Sequence, residues 1–194
     1  MGHPRRLVLP AVVIAVAAFV AGCSSSQDKT PQGSLALALG ASRTAVGVPA
    51  VSASSADPMG LLKAASITIA DVEARKADGS WVPIDSGLPA VVDLLALANG
   101  ARSVALPPDL LPEGQYNALQ LRITQAELTR LNGTRVTIAP PGTGWVVLMP
   151  VDFGVVNDRA TIVELRVRLD LSFKFLNGEF EFEPEVELEG VEHD

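Results

Sequence analysis

Apolar residues fall at every second position over most of this chain, and short turn-forming pairs repeatedly cut the alternation. A period of two puts successive side chains on opposite faces of an extended strand, so each run predicts a half-buried strand. Ser34 to Leu39 sets Leu35, Leu37 and Leu39 against small residues, and Ser66 to Lys76 carries Ile67, Ile69, Val72 and Ala74. In the second run the phase slips by one residue at Asp71-Val72, which predicts a β-bulge. Further strands are predicted at Trp81 to Ile84, Val91 to Leu97, Tyr116 to Ile123, Ala126 to Leu131, Arg135 to Ala139, Trp145 to Phe153, Ala160 to Leu171 and Phe180 to Leu188. Asp78-Gly79, Asn132-Gly133 and Asn177-Gly178 separate neighbouring runs, and Asn and Gly tolerate the positive φ of two-residue hairpins. About ten short strands and no long amphipathic helix predict an all-β domain of two packed sheets, a Greek-key β-sandwich of the immunoglobulin or prealbumin kind. A closed barrel is the competing architecture. Gly40 to Ala56 has neither periodicity and is expected to be a long flexible loop, with a binding lid or an extra edge strand as the alternative.

The C-terminal hairpin is the most tightly specified element. Glu179, Glu181, Glu183, Glu185, Glu187 and Glu189 alternate with Phe180, Phe182, Pro184, Val186 and Leu188, so all six acids fall on one face. With Asn177-Gly178 as the turn, Lys174 opposes Glu181, Arg168 opposes Glu187 and Arg166 opposes Glu189, while Phe175 meets Phe180 and Phe173 meets Phe182. The aromatic set is then expected on the buried face with Leu169, Leu171, Val186 and Leu188. Opposed charges contribute about 0.2–1 kcal/mol per pair, which explains the stripe as register specification. A cationic partner or Ca²⁺ on the stripe is the functional alternative.

The first residues follow a different pattern. Arg5 and Arg6 precede an apolar stretch from Leu7 to Ala21, 15 residues interrupted by Pro10, against roughly 20 for a spanning helix. Val20-Ala21-Gly22-Cys23 follows, with small residues placed directly before the only cysteine. This resembles the lipobox of bacterial lipoproteins. The resemblance implies a signal peptide over residues 1–22, cleavage between Gly22 and Cys23, and a diacylglycerol and an N-acyl chain on Cys23. Two or more acyl chains hold a membrane where one does so only marginally. Residues 23–33 then form a polar tether of roughly 15–20 Å, ahead of the sandwich at 34–194. Ser24 implies, by the same resemblance, the outer membrane in a Gram-negative host.

From Ser34 to Leu188 the chain carries a series of ordered phrases. Leu62-Lys63-Ala64-Ala65-Ser66-Ile67-Thr68-Ile69 leads to Val72-Glu73, then come Gly79-Ser80-Trp81-Val82 and Val92-Asp93-Leu94-Leu95-Ala96-Leu97. Leu111-Pro112-Glu113-Gly114-Gln115-Tyr116 runs into Leu119-Gln120-Leu121-Arg122-Ile123, and Leu169-Asp170-Leu171-Ser172 and Pro184-Glu185-Val186 close the series. In this order they resemble a domain-of-unknown-function family, number 4382, of bacterial and archaeal cell-surface lipoproteins. The resemblance implies a lipid-anchored β-sandwich and supplies no catalytic residue.

Composition narrows the chemistry. The formal charge of −7 becomes −9 once Arg5 and Arg6 leave with the signal, which argues against nucleic acid as a partner. With Cys23 lipidated, no thiol remains for a disulfide, a zinc site or redox work. Only His3 and His193 exist, one in the signal and one penultimate, so no Ser-His-Asp system is expected. Asp152, Asn157 and Asp158 are weak Ca²⁺ candidates whose spacing does not match an EF-hand loop. Trp81 and Trp145 are candidate stacking platforms for sugar rings, set against packing at strand starts. Tyr116, the only tyrosine, follows Leu-Pro-Glu-Gly-Gln and reads as a tyrosine corner. The expectation is a module without catalysis or cofactor that binds an envelope polysaccharide or protein, or is purely structural. A carboxylate-based hydrolase of cell-surface glycans is the alternative.

Overall fold

A computed structural model of the protein describes residues 30–43, 58–85 and 87–193. The strands in chain order are β1 (Gln32–Ser42), β2 (Leu62–Lys76), β3 (Trp81–Ile84) and β4 (Ala90–Asp93), then the short helix α1 (Leu94–Ala98). Next come β5 (Val104–Ala105), β6 (Asp109–Pro112), β7 (Gly114–Arg130), β8 (Arg135–Ile138), β9 (Trp145–Val155) and β10 (Ala160–Arg168). The helical turn α2 (Leu169–Ser172) leads to β11 (Phe173–Leu176), β12 (Glu179–Phe182) and β13 (Val186–His193). All but β11 and β12, which pair only with each other, form two sheets facing each other, as the alternation predicts, and the sheets do not close into a barrel. The larger sheet runs β3–β2–β7–β8, with β4 on β2 and β9 on β7. The smaller runs β13–β10–β1–β5, with β6 also on β1.

Inward residues of both sheets make one core, from Leu35, Leu37 and Leu39 on β1 to Ile67, Ile69, Leu119, Leu121 and Ile123 across the sandwich. The bulge predicted in β2 is present, with a register shift between Ile69 and Asp71. A matching shift in β7 leaves Thr124 between Ile123 and Gln125, so Tyr116–Ile123 and Ala126–Leu131 are one strand rather than two. Each strand changes phase at the same level, and the buried set stays inward on both.

Other boundaries move for local reasons. The expected strand Val91 to Leu97 stops at Asp93, whose Oδ1 accepts the N–H of Ala96 at 3.0 Å and caps α1. Leu94, Leu95 and Leu97 are all buried. A strand would turn Leu95 outward, whereas a helical turn does not. Gly40, Ala41 and Ser42, expected in the long loop, instead extend β1 and pair in parallel with Arg166, Val167 and Arg168. The remainder of the loop expected at 40–56 lies, apart from Arg43, outside the described residues.

The hairpin turns as expected, with Asn177 at φ 53° and Gly178 at φ 89°. Phe173 faces Phe182, Lys174 faces Glu181 and Phe175 faces Phe180. The ladder does not run on into β10–β13. Ser172 accepts the N–H of Glu183 on its carbonyl (2.8 Å) and that of Glu185 on Oγ (2.9 Å), which interrupts the expected strand Phe180 to Leu188. Beyond that break Arg166 pairs in register with Glu187, a two-residue offset from the expected Glu189. An even offset keeps every side chain on its face. Arg166 still forms its ion pair with Glu189, and Arg168 with Glu187 at 3.3 Å, both diagonally. Phe173, Phe180 and Phe182 are buried, but Phe175, Leu171 and Leu188, expected inside with them, are exposed. The hairpin overhangs the end of the sandwich, and its tip has nothing below it to bury Phe175.

Phe182 lies edge-on to Trp145 with centroids 4.8 Å apart and against Phe173 at 4.6 Å. Phe182→Ala is expected to lower stability by about 3–5 kcal/mol, and Glu181→Ala, on the exposed face, by under about 1 kcal/mol. Urea midpoints of the two variants check this ordering.

Candidate functional site

Where β9 of the larger sheet approaches β10 and β13 of the smaller, the edges leave a cleft of about 420 Å³. Gln115 at the start of β7, Asp152 to Gly154 on β9, Arg159 to Thr161 leading into β10, and His193 at the end of β13 line it. Thr161 is the buried polar group of its floor. Its hydroxyl donates to the Gly154 carbonyl at 2.9 Å and lies 3.3 Å from Nδ1 of His193. Because the hydroxyl proton is committed to Gly154, the Nδ1–H of His193 is the donor in the second contact. A buried hydroxyl with its proton already bonded away from the imidazole is no activated nucleophile. The cleft brings a guanidinium, an imidazole, a carboxylate and an amide around one opening, beside Phe153 and Val156.

This end of the sandwich is built tightly. Asn157 accepts the Gln32 N–H on Oδ1 at 3.2 Å and donates from Nδ2 to Asp158 at 2.8 Å. The Asp158 N–H donates to the Gln32 carbonyl at 3.1 Å, and Asp158 adopts φ 57°. Of the three Ca²⁺ candidates, then, Asn157 and Asp158 form a turn that latches β1, and only Asp152 lines the cleft. Among the described residues no group of three or more His, Cys, Asp or Glu is arranged to hold a metal ion. Tyr116 is the predicted corner: its hydroxyl donates to the Pro112 carbonyl at 2.8 Å, and its ring stacks on Phe153 at 5.1 Å. Burial, then the charge of Asp78, pushes its phenol above the usual range.

The tryptophans do not meet. Trp145 pairs with Ile123 and is buried against Phe182, inside the sandwich. Trp81 opposes Arg75 on the outer face, 38 % exposed, with that guanidinium 5.6 Å from its ring centre. On opposite faces of one sheet they make no common platform for a sugar. Gly22 and Cys23 lie outside the described residues. His193, penultimate in the sequence and so set aside from any triad, lines the cleft. The signal for it was the strand itself, since antiparallel pairing of β10 with β13 carries on to Thr161–His193.

Residues 50–184 match the family described as domain of unknown function DUF4382. The chain belongs to this family. The match is narrower than the expected Ser34 to Leu188 and leaves out β1 and all of β13, including His193. No curated protein and no solved structure matches the chain. The cleft therefore combines residues inside the DUF4382 match with one strand end outside it.

Tyr116→Phe removes one buried hydrogen bond and is expected to cost about 1 kcal/mol near neutral pH. Because folding raises the phenol's pKa above its ordinary 10.0, the neutral ring's stabilisation is full below pH 10 and falls as pH rises through the folded value. Wild-type stability should drop on that alkaline side, and Tyr116→Phe should flatten the drop. Urea midpoints taken from neutral pH to strong alkali measure both.

Proposed function

We propose that this protein is a lipid-anchored module of the cell envelope whose sandwich recognises or organises other envelope molecules without catalysis. The lipobox ending at Cys23 carries the reading. It receives support from the place where the described fold begins, with Pro31 and β1 from Gln32 held in the sandwich shortly after Cys23. Thr30 and Pro31 approach the same end as the cleft, where the carbonyl of Pro31 accepts the Glu113 N–H at 2.8 Å.

The exposed faces favour a module over an enzyme. Charges there are ion-paired or hydrogen-bonded across neighbouring strands: Asp71 with Arg122, Glu127 with Arg135 and Lys174 with Glu183 as ion pairs, Glu73 with the Gln120 amide and Arg75 with the Asn117 amide oxygen. A glycan hydrolase needs two carboxyl groups about 5–9.5 Å apart in its cleft. Among the described residues lining this one, Asp152 is the single carboxylate.

Cys23→Ala is expected to move the protein from the membrane fraction to the soluble fraction or to leave it as unprocessed precursor, and fractionation with mass measurement of the amino terminus decides it. Unchanged cleavage and unchanged membrane association in that variant would remove the lipid anchor from the account. In glycan-hydrolysis assays the wild type and Asp152→Asn should both run at the blank rate. Turnover abolished by Asp152→Asn would establish the enzyme instead.

A further inference from the structure

β9 is an edge of the larger sheet: among the described residues it pairs with β7 and with no second strand. An edge of 11 residues left bare is a template for another chain, and proteins blunt such edges with charge, proline or a bulge. β9 carries those defences in its later half. Pro150 lacks an N–H, the register shifts opposite Asn117 just beyond it, and Asp152 follows. Over residues 136–151 no side chain is charged. Over residues 145–150 the register on β7 is unbroken, so Val146, Leu148 and Pro150 share one backbone orientation. A proline within a sheet sits where its nitrogen faces away from the ladder. Val146 and Leu148 therefore turn their own N–H and C=O to the free edge. Period two also sets their side chains next to each other on the outer face, 58 % and 56 % exposed, while Val147 between them is only partly buried against the core.

A two-fold interface needs a patch that is its own complement, and this stretch meets that condition. In an antiparallel pairing of two β9 strands centred on Val147, Val146 of each copy lies opposite Leu148 of the other on the outer face, and the two Val147 side chains meet on the inner face. Centring on Leu148 instead would set Pro150 opposite Val146, where the missing N–H loses a bond on each side. About Val147, Asp152 falls opposite Gly142, so no like charges meet. On β7 the neighbours of Val146 and Leu148 are Arg122 and Gln120, and Arg122 is already ion-paired with Asp71. β13 comes close to β9, and its Glu187 and Glu189 are held by Arg168 and Arg166. We infer that two copies of the protein associate through residues 146–149 of β9, so that the larger sheet of one copy continues into that of the other. The inference rests on the strand and its neighbours and is independent of the lipid anchor.

Sedimentation velocity of the full-length chain reads the association, with the protein purified from whichever fraction holds it and kept in density-matched detergent if that is the membrane. A contact this short belongs at the weak end of specific interfaces, so the wild type should pass from monomer to dimer between about 1 and 100 μM. Leu148→Lys and Leu148→Glu, each tested alone, should raise the dissociation constant about tenfold or more. The two Leu148 side chains are diagonal neighbours in this pairing, so an equimolar mixture of the two variants should recover dimers, which chains damaged in their fold could not do. Val146→Thr with Leu148→Thr keeps strand-favouring side chains at both positions and should weaken the dimer as well. A wild type monomeric throughout, a dimer unchanged by either charged variant, or a mixture without recovery would each overturn the inference. Monomers that instead bind a labelled peptide of alternating valine and threonine, and lose it in Leu148→Lys, would assign the edge to a foreign strand and overturn it equally.

Discussion

Strands β2 and β7 hydrogen-bond to one another from Leu62–Arg130 to Lys76–Tyr116, and the other strands of their sheet attach to one or other of these two. A ladder of that length must keep its apolar side chains on one face while the sheet twists, because a slip of one residue would turn the buried set into water. The paired irregularities near Ala70 and Thr124 meet this demand by shifting both strands together. Ile67 and Ala126 stay inside on one side of the irregularity, and Val72 and Leu121 on the other. The placement of β9, and with it of the cleft, follows from where β7 points its outer edge.

The two ends of the sandwich are made differently. At the tether end the chain is drawn close. A Cβ at Gly33 would collide with the Val156 carbonyl, so the backbone of β1 passes where no other residue fits. The Asn157–Asp158 turn and the Tyr116–Pro112 hydrogen bond fix the same region from two further strands. At the far end α1, α2 and the hairpin close the core with short elements, and the hairpin reaches beyond what it covers.

Electrostatics here is local. The chain is acidic overall, and among the described residues five ion pairs join charges across neighbouring strands; exposed pairs of this kind stabilise by about 0–1 kcal/mol each. They specify register more than they stabilise. The hairpin shows the limit of such pairing, since Lys174 has several carboxylates around it and takes Glu183 as its ion-pair partner, rather than Glu181 directly opposite.

What could be read from the sequence alone is what depends on neighbours along the chain. Asn177-Gly178 determined the turn, and with it the register of β11 and β12. Alternation located most of the strands, the phase slip located the bulge to within a residue, and Leu-Pro-Glu-Gly-Gln-Tyr gave the corner, whose partner lies only four residues away. The resemblance of Val20-Ala21-Gly22-Cys23 to a lipobox is likewise a contiguous signal, and those residues lie outside the described ones. Tertiary structure decided the rest. The parallel pairing of β1 with β10 joins segments that are remote in the chain, and no turn specifies it. The contact of Thr161 with His193 exists only because β13 returns to the edge of β10. Phe175 is exposed because the sandwich ends beneath it, although its alternation matches that of buried Phe173. Periodicity assigns a side chain to a face, and only the packed partner determines whether that face is covered.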